Sequence, residues 1–502
     1  MKIADQMETG LLIIGGGLAG LTAAWAAGPE KPVTLLMDGG GASPFIHGFS
    51  LPEGPGDSPE LLFEDTRRSG RFQNDPALAE KLAEGGPAVQ ELLKELEISL
   101  DREADGSLSL LRPLGASAPR VASAGNHTGA VLMGKLRERL TVRGNVCFCS
   151  GFRALRLLTD SGGITGALAY DRTRNRFVRI KAKAVILACG GFCGIFPFST
   201  NTADIGGDGI AMAYLAGAAV RDLEFIQFEP CVGLSPAGAR GKGMITTLFY
   251  EGACLRNRAG ERFLGASPEG ERLDKDVLSW KIFREIDKGN GTSGGGVWFD
   301  AAAVGRERLK EAYPAYLERY AACGIDLANE PVEVAPAPHT SLGGVAIGTD
   351  CSTTLPGLFA CGEIAGGVHG ANRLGGNAGL ETMAFGMTAG RSAGRYSRKN
   401  VGPLGENFQL PVLPAEAREK IRRRMERELS KNLGVIRQET GLCHAILVLE
   451  ELLEQFAPNE DGEPLEYYET LRLQNDLQTA FLLARAALAR RESCGCHIRQ
   501  DH

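Results

Sequence analysis

The sequence predicts an α/β fold: a Rossmann-type dinucleotide-binding domain, interrupted by an inserted lobe and followed by a C-terminal helical bundle. Three observations carry that reading. The chain opens as strand, glycine turn, helix and strand. Its glycine-rich strand-and-loop pattern lapses after residue 220 and returns at 336, so the first domain is discontinuous. From about residue 412 Gly nearly vanishes and Glu, Arg, Leu and Ala dominate. A chain of 502 residues is too long for one compact core, which agrees with several lobes.

Taken in order, Leu11–Ile14 is a short apolar strand, followed by the turn Gly15-Gly16-Gly17-Leu18-Ala19-Gly20 and an Ala-rich helix. The second strand, KPVTLLMD, ends at Asp38. Residues 41–60 are rich in Gly, Pro and Ser and form a loop. Helical spacing of Leu78, Leu82, Val89, Leu92 and Leu93 predicts helix over roughly 59–97, broken at Gly85-Gly86-Pro87. Residues 144–190 alternate like antiparallel strands (VCFC, ALRLL, ITGALAY, FVRIKAK) and run into AVILACGG, a fully buried strand. Residues 221–335 are mixed in composition, with LSWKIFREID as one helix. EAREKIRRRMERELSKNL and YYETLRLQNDLQTAFLLARAALARRE supply helices for the closing bundle.

With 43% apolar and 23% charged residues the chain has the composition of a soluble globular protein. Its 67 glycines sit in short apolar contexts, as tight turns beside a large ligand require. A formal charge of −6 argues against nucleic acid and against an anionic membrane surface. No run approaches the eighteen or so apolar residues of a membrane span, so direct membrane insertion is not expected, and no secretory signal is visible. Twelve cysteines without a C-x-x-C pair suit free thiols in a reducing cytoplasm. Cys147/Cys149 and Cys494/Cys496, the latter followed by His497, lack a four-ligand set, so no metal is expected.

A lone G-x-G-x-x-G is a weak signal, but here it follows a strand and opens a helix. Asp38 closes the next strand 18 residues after Gly20. Glycines let backbone N–H groups meet a pyrophosphate, while the carboxylate takes ribose hydroxyls. Two later segments narrow the choice of dinucleotide: LACGGFCGIFPFSTNTADIGGDGIAMAYLAGA from Leu187, and PHTSLGGV followed by LPGLFACGEIAGGVHGANRLGGNAGLETMAFG. With these, and with the tail ARAALARRESCGCHIRQD, the chain resembles the flavoprotein family of succinate dehydrogenase, fumarate reductase and L-aspartate oxidase over nearly its whole length.

The resemblance implies an FAD-binding domain at 1–220 and 336–405, a capping domain at 221–335, and a C-terminal helical domain at 406–502. It places the ADP half of FAD on Gly15, Gly17, Gly20 and Asp38, and its path along Ala188, Gly190, Gly191 and Asp208. Glu363 falls to the ribityl hydroxyls, and Asn377 and Ala378 to the start of a helix aimed at the isoalloxazine, where a reduced flavin carries negative charge. For the substrate carboxylate it implies His339 and Arg373, whose planar fork suits a bidentate contact.

The sequence departs from the family at three places. FEPC puts Glu229 where a substrate-binding His is expected. Aligning TTLFYEGACL puts Phe249, which has no proton to give, at the proton-delivering Arg, with Tyr250 beside it. GGGASPFIHGFS puts Pro44 at the His that bonds flavin covalently, with His47 three residues on; FAD is therefore expected to be non-covalent.

Two functions follow as expectations. The first is an FAD-dependent oxidoreductase that passes hydride through flavin N5 to or from a carboxylate-bearing substrate other than fumarate or succinate, because Glu229 would repel a dianion. In it His339, Arg373, Tyr250 and Glu229 are the catalytic set, with Glu229 on a cationic group and Tyr250 in the proton role. The alternative is a non-catalytic electron-transfer subunit of a larger redox complex with an iron-sulfur or cytochrome partner, cytoplasmic or peripheral to a membrane complex.

Overall fold

A computed structural model describes residues 1–125, 127–202, 204–265, 267–396, 401–459 and 461–501. Its largest sheet has seven strands. Six are β1 (Gln6–Ile14), β2 (Val33–Met37), β3 (Val146–Ser150), β4 (Phe152–Asp160), β5 (Gly163–Asp171) and β6 (Arg176–Leu187), in the order β3-β2-β1-β6-β5-β4. The seventh, Leu358–Ala360, pairs in parallel with the end of β6. The pairings β1–β2, β1–β6 and β2–β3 are parallel, whereas β4–β5 and β5–β6 are antiparallel.

Three sequence expectations change here. VCFC forms β3 but runs parallel to β2, because helix α2 (Thr128–Arg143) crosses over between them; it follows α1 (Leu18–Ala26) in the chain. FVRIKAK and AVILA form one strand, β6, since nothing between them can turn. The stretch expected to be helical from 59 to 97 forms three helices, Pro59–Ser69, Pro76–Ala83 and Gly86–Glu95.

Both faces of β1 are covered over Leu11–Ile14, so that end reads as an unbroken apolar run rather than an alternation. Leu11 and Ile13 enter one core with α1 and the helix Asn377–Arg395; Leu12 and Ile14 enter the other with the C-terminal helices. Each such fully buried side chain is worth about 1.5–3 kcal/mol. The helix Asn377–Arg395 approaches α1 so closely that a Cβ on Gly390 would lie 2.1 Å from the Ala23 carbonyl oxygen.

After α3 (Asp208–Leu215) a second, four-stranded antiparallel sheet begins. Its strands β7 (Ile226–Ser235), β8 (Cys254–Arg256), β9 (Val297–Asp300) and β10 (Val332–Ser341) lie in the order β7-β10-β9-β8. The helices α4 (Lys275–Glu285) and α5 (Pro314–Ala321) pack on a separate apolar cluster that includes Phe249, Leu278, Ile282, Phe299 and Tyr320. The chain then re-enters the first sheet and forms α6 (Asn377–Arg395). It ends in the helices α7 (Ala415–Asn432), α8 (Glu439–Leu453) and α9 (Pro464–Ala489). Among the described residues no helix is long and apolar enough to cross a membrane.

Candidate functional site

A cavity of about 740 Å³ runs from the end of β1 to β7 and β10. At its first end Gly15 has φ +116°, and a Cβ there would stand 2.1 Å from the Ala188 carbonyl oxygen, so glycine is required. No side chain caps α1 at Gly17, although Ser43 Oγ accepts the Leu18 N–H at 3.0 Å. Gly15 and Gly17 line the cavity. Gly20 does not: a Cβ there would meet the Gly15 carbonyl oxygen at 2.0 Å, so its part is to let α1 fold onto the turn.

Asp38 lines the cavity with its carboxylate already engaged. Oδ1 accepts from Arg172 at 2.7 Å and Oδ2 from Arg153 at 3.2 Å. Burial alone would raise its pKa; the Arg172 bond and the Arg153 charge outweigh that and hold it below the usual carboxylate value. Asp208 also lines the cavity, but its oxygens are taken by Arg153 Nε at 2.7 Å and Asn475 Nδ2 at 2.7 Å. Next to it, Asp476 accepts the Gly207 N–H at 2.8 Å, and the Thr479 hydroxyl donates to the Gly207 carbonyl at 2.8 Å.

Ala188 and Gly190 line the middle of the cavity. Gly191 stands behind them, where a Cβ would fall 2.2 Å from Glu363 Oε1. Glu363 faces the cavity and accepts the Ser341 N–H at 3.0 Å; burial raises its pKa, with the Ser341 bond opposing. Asn377 is fully buried away from the cavity, with Oδ1 accepting the Ser50 hydroxyl at 2.8 Å and Nδ2 donating to Thr66 at 2.9 Å. The opening turn of α6 itself reaches the cavity through Ala378, Gly379 and Thr382.

This half fits a dinucleotide. A Cβ on Gly190 would meet none of the described residues within 4 Å, and beyond the Leu18 N–H, which Ser43 takes, the start of α1 offers N–H groups to a pyrophosphate. The volume lies in the range of pockets that enclose organic ligands.

The far end holds the residues that the family resemblance implies for the substrate. His339, on β10, has Nδ1 2.8 Å from Thr200 Oγ1; burial, then Lys275 and Arg373, push its pKa well down, so the ring is neutral. Arg373 lines the cavity, and among the described residues its buried Nε has no hydrogen-bond partner. Burial lowers its pKa, with Glu363, Glu381 and Glu229 opposing. Glu229, on β7, is not a free carboxylate: it is ion-paired with Lys275 of α4, at side-chain exposures of 9% and 20%. The expected repulsion of a dianion is thereby removed, and the cationic group that Glu229 pairs with is the protein's own.

Phe249 and Tyr250 are not at the cavity. Phe249 is fully buried in the separate apolar cluster against α4 and α5, 5.2 Å from Phe299 between ring centroids. Tyr250 is 38% exposed, under the Arg272 guanidinium. Both lie on the 3₁₀ turn Thr246–Glu251, of which Thr246 and Thr247 line the cavity instead. Sequence reading also missed Lys275, Arg319, Lys242 and Tyr316, all lining residues. The Tyr316 hydroxyl lies 3.1 Å from His47 Nε2.

Among the described residues no group of three or more His, Cys, Asp or Glu could hold a metal ion. Cys496 donates to the Ala371 carbonyl at 2.7 Å, and His497 contacts Arg437 through Nδ1 at 2.8 Å and the Arg490 carbonyl through Nε2 at 3.0 Å.

The FAD binding domain family matches residues 10–378, and the fumarate reductase flavoprotein C-terminal family matches residues 422–502. One subunit of the fumarate reductase (CoM/CoB) of Methanothermobacter marburgensis is 35% identical over 99% of this chain and 95% of its own. An L-aspartate oxidase of Caulobacter vibrioides is 35% identical over 98% of this chain and 93% of its own. Among solved structures, E. coli quinol fumarate reductase FrdA shares 28% identity at a TM-score of 0.89, covering 99% of this chain and 92% of that one. Likeness of this extent, end to end, makes the chain a member of the succinate dehydrogenase, fumarate reductase and L-aspartate oxidase flavoprotein family: it is an FAD-dependent oxidoreductase.

Proposed function

We propose that the protein oxidises or reduces a substrate at a carbon next to a carboxylate, with Arg373 and His339 holding that carboxylate and Lys275 exchanging the proton. The convergence of Arg373, His339 and the Lys275–Glu229 pair on one cavity wall carries the reading. FAD, when bound, supplies two-electron hydride exchange at its isoalloxazine ring. Arg373 offers a planar fork whose buried Nε lacks an acceptor among the described residues, so a bound carboxylate satisfies it. His339 is neutral, and with Nδ1 on Thr200 its Nε2 is the ring nitrogen left for a ligand. Lys275 carries a transferable proton where Phe249 carries none, and Glu229 fixes its position.

The same reading assigns residues 1–220 and 336–405 to the FAD lobe, 221–335 to the cap and 406–502 to the helical lobe. FAD is held without a covalent bond: Pro44 offers no nucleophile, and His47 Nε2 is engaged by Tyr316. The Methanothermobacter relative is named as one subunit of its enzyme, which supports a separate electron-carrying partner chain here.

Exchanging Arg373 for Lys tests the assignment. Turnover of the carboxylate substrate should fall at least about tenfold with FAD content unchanged. If no flavin-dependent turnover changes, the substrate site is wrongly assigned and an electron relay is the better description. Acid precipitation should leave the flavin in the supernatant; flavin retained in the pellet would refute non-covalent binding.

A further inference from the structure

We propose that Arg71, which stands outside the cavity just after the helix Pro59–Ser69, is the positioning residue for Lys275: it locks the start of α4, from which Lys275 springs, to the segment that also braces the loop of Arg373. The proposal rests on the reading of Lys275 as the proton-exchanging group.

The two chain neighbours of Lys275 are both acids, and one guanidinium takes both. Arg71 Nη2 donates to Asp276 Oδ2 at 2.7 Å and Oδ1 at 2.9 Å, with Nε donating to Oδ2 at 3.2 Å. The same Nη2 lies 2.9 Å from Asp274 Oδ2. Asp276 is only 4% exposed at its side chain; burial pushes its carboxyl up, with the Arg71 charge opposing. Removing the guanidinium would strand that carboxylate. Asp274 stands at the N-cap of α4, where an acid ordinarily accepts an N–H of its own helix. It makes no such bond and turns to Arg71 instead.

The backbone at Arg71 is shaped for this contact. Arg71 has φ +54° and Phe72 φ +57°, a left-handed pair that side chains other than glycine adopt at a cost. Phe72 is 64% exposed, so burial of its ring does not offset that cost. The segment is pinned on the other side: the Gly70 carbonyl accepts the Ala371 N–H at 2.9 Å, and Asn74 Nδ2 donates to the Val368 carbonyl at 2.8 Å. Residues 70–74 are therefore bonded to the stretch that runs into Arg373, and through the Arg71 side chain to both neighbours of Lys275. Glu229 fixes the ammonium end of Lys275, and Arg71 fixes the helix start. Proton exchange demands both, because small errors in placing a reacting group are costly in rate.

The test compares FAD-loaded wild type, Arg71→Gln and Arg71→Lys. Amide hydrogen exchange over residues 278–282 should quicken at least about tenfold in Arg71→Gln, with exchange in α9 unchanged; Arg71→Lys, which keeps the charge but not the fork, should fall between. Turnover is measured on fumarate with a reduced viologen dye, and on succinate and L-aspartate with a dye acceptor. Arg71→Gln should lower kcat at least about tenfold with KM within about threefold, and should add nothing in a Lys275→Met background. Unchanged exchange in Arg71→Gln, or an equal fall in kcat with and without Lys275, would overturn the proposal. If none of the three compounds is turned over, the exchange comparison alone decides it. If Arg71→Gln does not fold, Asp274→Asn, which breaks only the more exposed contact, takes its place, and unchanged exchange there is equally fatal. Failure of the underlying reading looks different: Lys275→Met would keep wild-type turnover while Arg71→Gln still loosens α4.

Discussion

Replacing Lys275 by Met removes one charge of a pair whose side chains are 20% and 9% exposed. Breaking a buried ion pair from one side costs about 3–5 kcal/mol, because the remaining charge stays desolvated. Lys275 keeps a fifth of its surface in contact with solvent, so about 2–3 kcal/mol is the expected loss of stability. Loss of proton exchange is a separate effect, roughly a hundred- to ten-thousand-fold in turnover, or about 3–5 kcal/mol of barrier. The double variant Lys275→Met with Glu229→Gln separates the two: it removes the stranded carboxylate and should recover most of the stability while turnover stays low. Chemical denaturation of the FAD-loaded proteins measures the first quantity. Dye-linked turnover with fumarate, or with whichever carboxylate the flavin spectrum shows to bind, measures the second. If Lys275→Met keeps turnover within about threefold of wild type, or if the double variant regains it, the ammonium carries no proton and its role is charge balance alone.

Other perturbations probe the rest of the site. Gly15→Ala places a side chain at φ +116° and 2.1 Å from a backbone oxygen; the protein should lose FAD and more than about 3 kcal/mol of stability, and normal flavin content would refute the turn geometry. Asp38→Ala should weaken FAD by about 1–3 kcal/mol, measured by fluorescence titration, and an unchanged affinity would show that no ribose hydroxyl reaches this carboxylate. The His497 ring is fully buried, and burial, then the Arg437 charge, push its pKa down to about 3. Between pH 6.5 and that value the unfolded chain takes up a proton that the folded chain refuses, so stability falls as pH falls, by up to about 1.4 kcal/mol per pH unit. Denaturation at pH 6.5 and 5 should show that slope, flattened in His497→Gln; equal slopes in the two proteins would refute it.

The strand–turn–helix around Gly15 and the carboxylate at Asp38 were legible in the sequence from motif spacing, whereas Glu363, His339 and Arg373 were legible only through the family resemblance; all five line the same cavity. What was not legible depends on contacts across long stretches of chain. Glu229 looked like an unpaired acid because Lys275 lies 46 residues away on another element. Tyr250 drew a proton role from an alignment through a 3₁₀ turn, where neighbouring side chains point in different directions, so that Thr246 and Thr247 reach the cavity and Tyr250 faces solvent. Asp208 lies in a legible GDG turn, but its partners Arg153 and Asn475 come from β4 and α9 and could not be read from that turn.

The bracing of Gly207 and Asp208 by α9 ties the helical lobe to the glycine-turn end of the cavity. Asn475, Asp476 and Thr479 stand 267 to 272 residues further along the chain, yet they hold the turn whose Asp208 orients Arg153, which also reaches Asp38. A polypeptide cut ahead of residue 464 should therefore bind FAD more weakly than the whole chain, although it keeps every residue proposed to touch the cofactor; equal affinity would show that these struts do not shape the pocket.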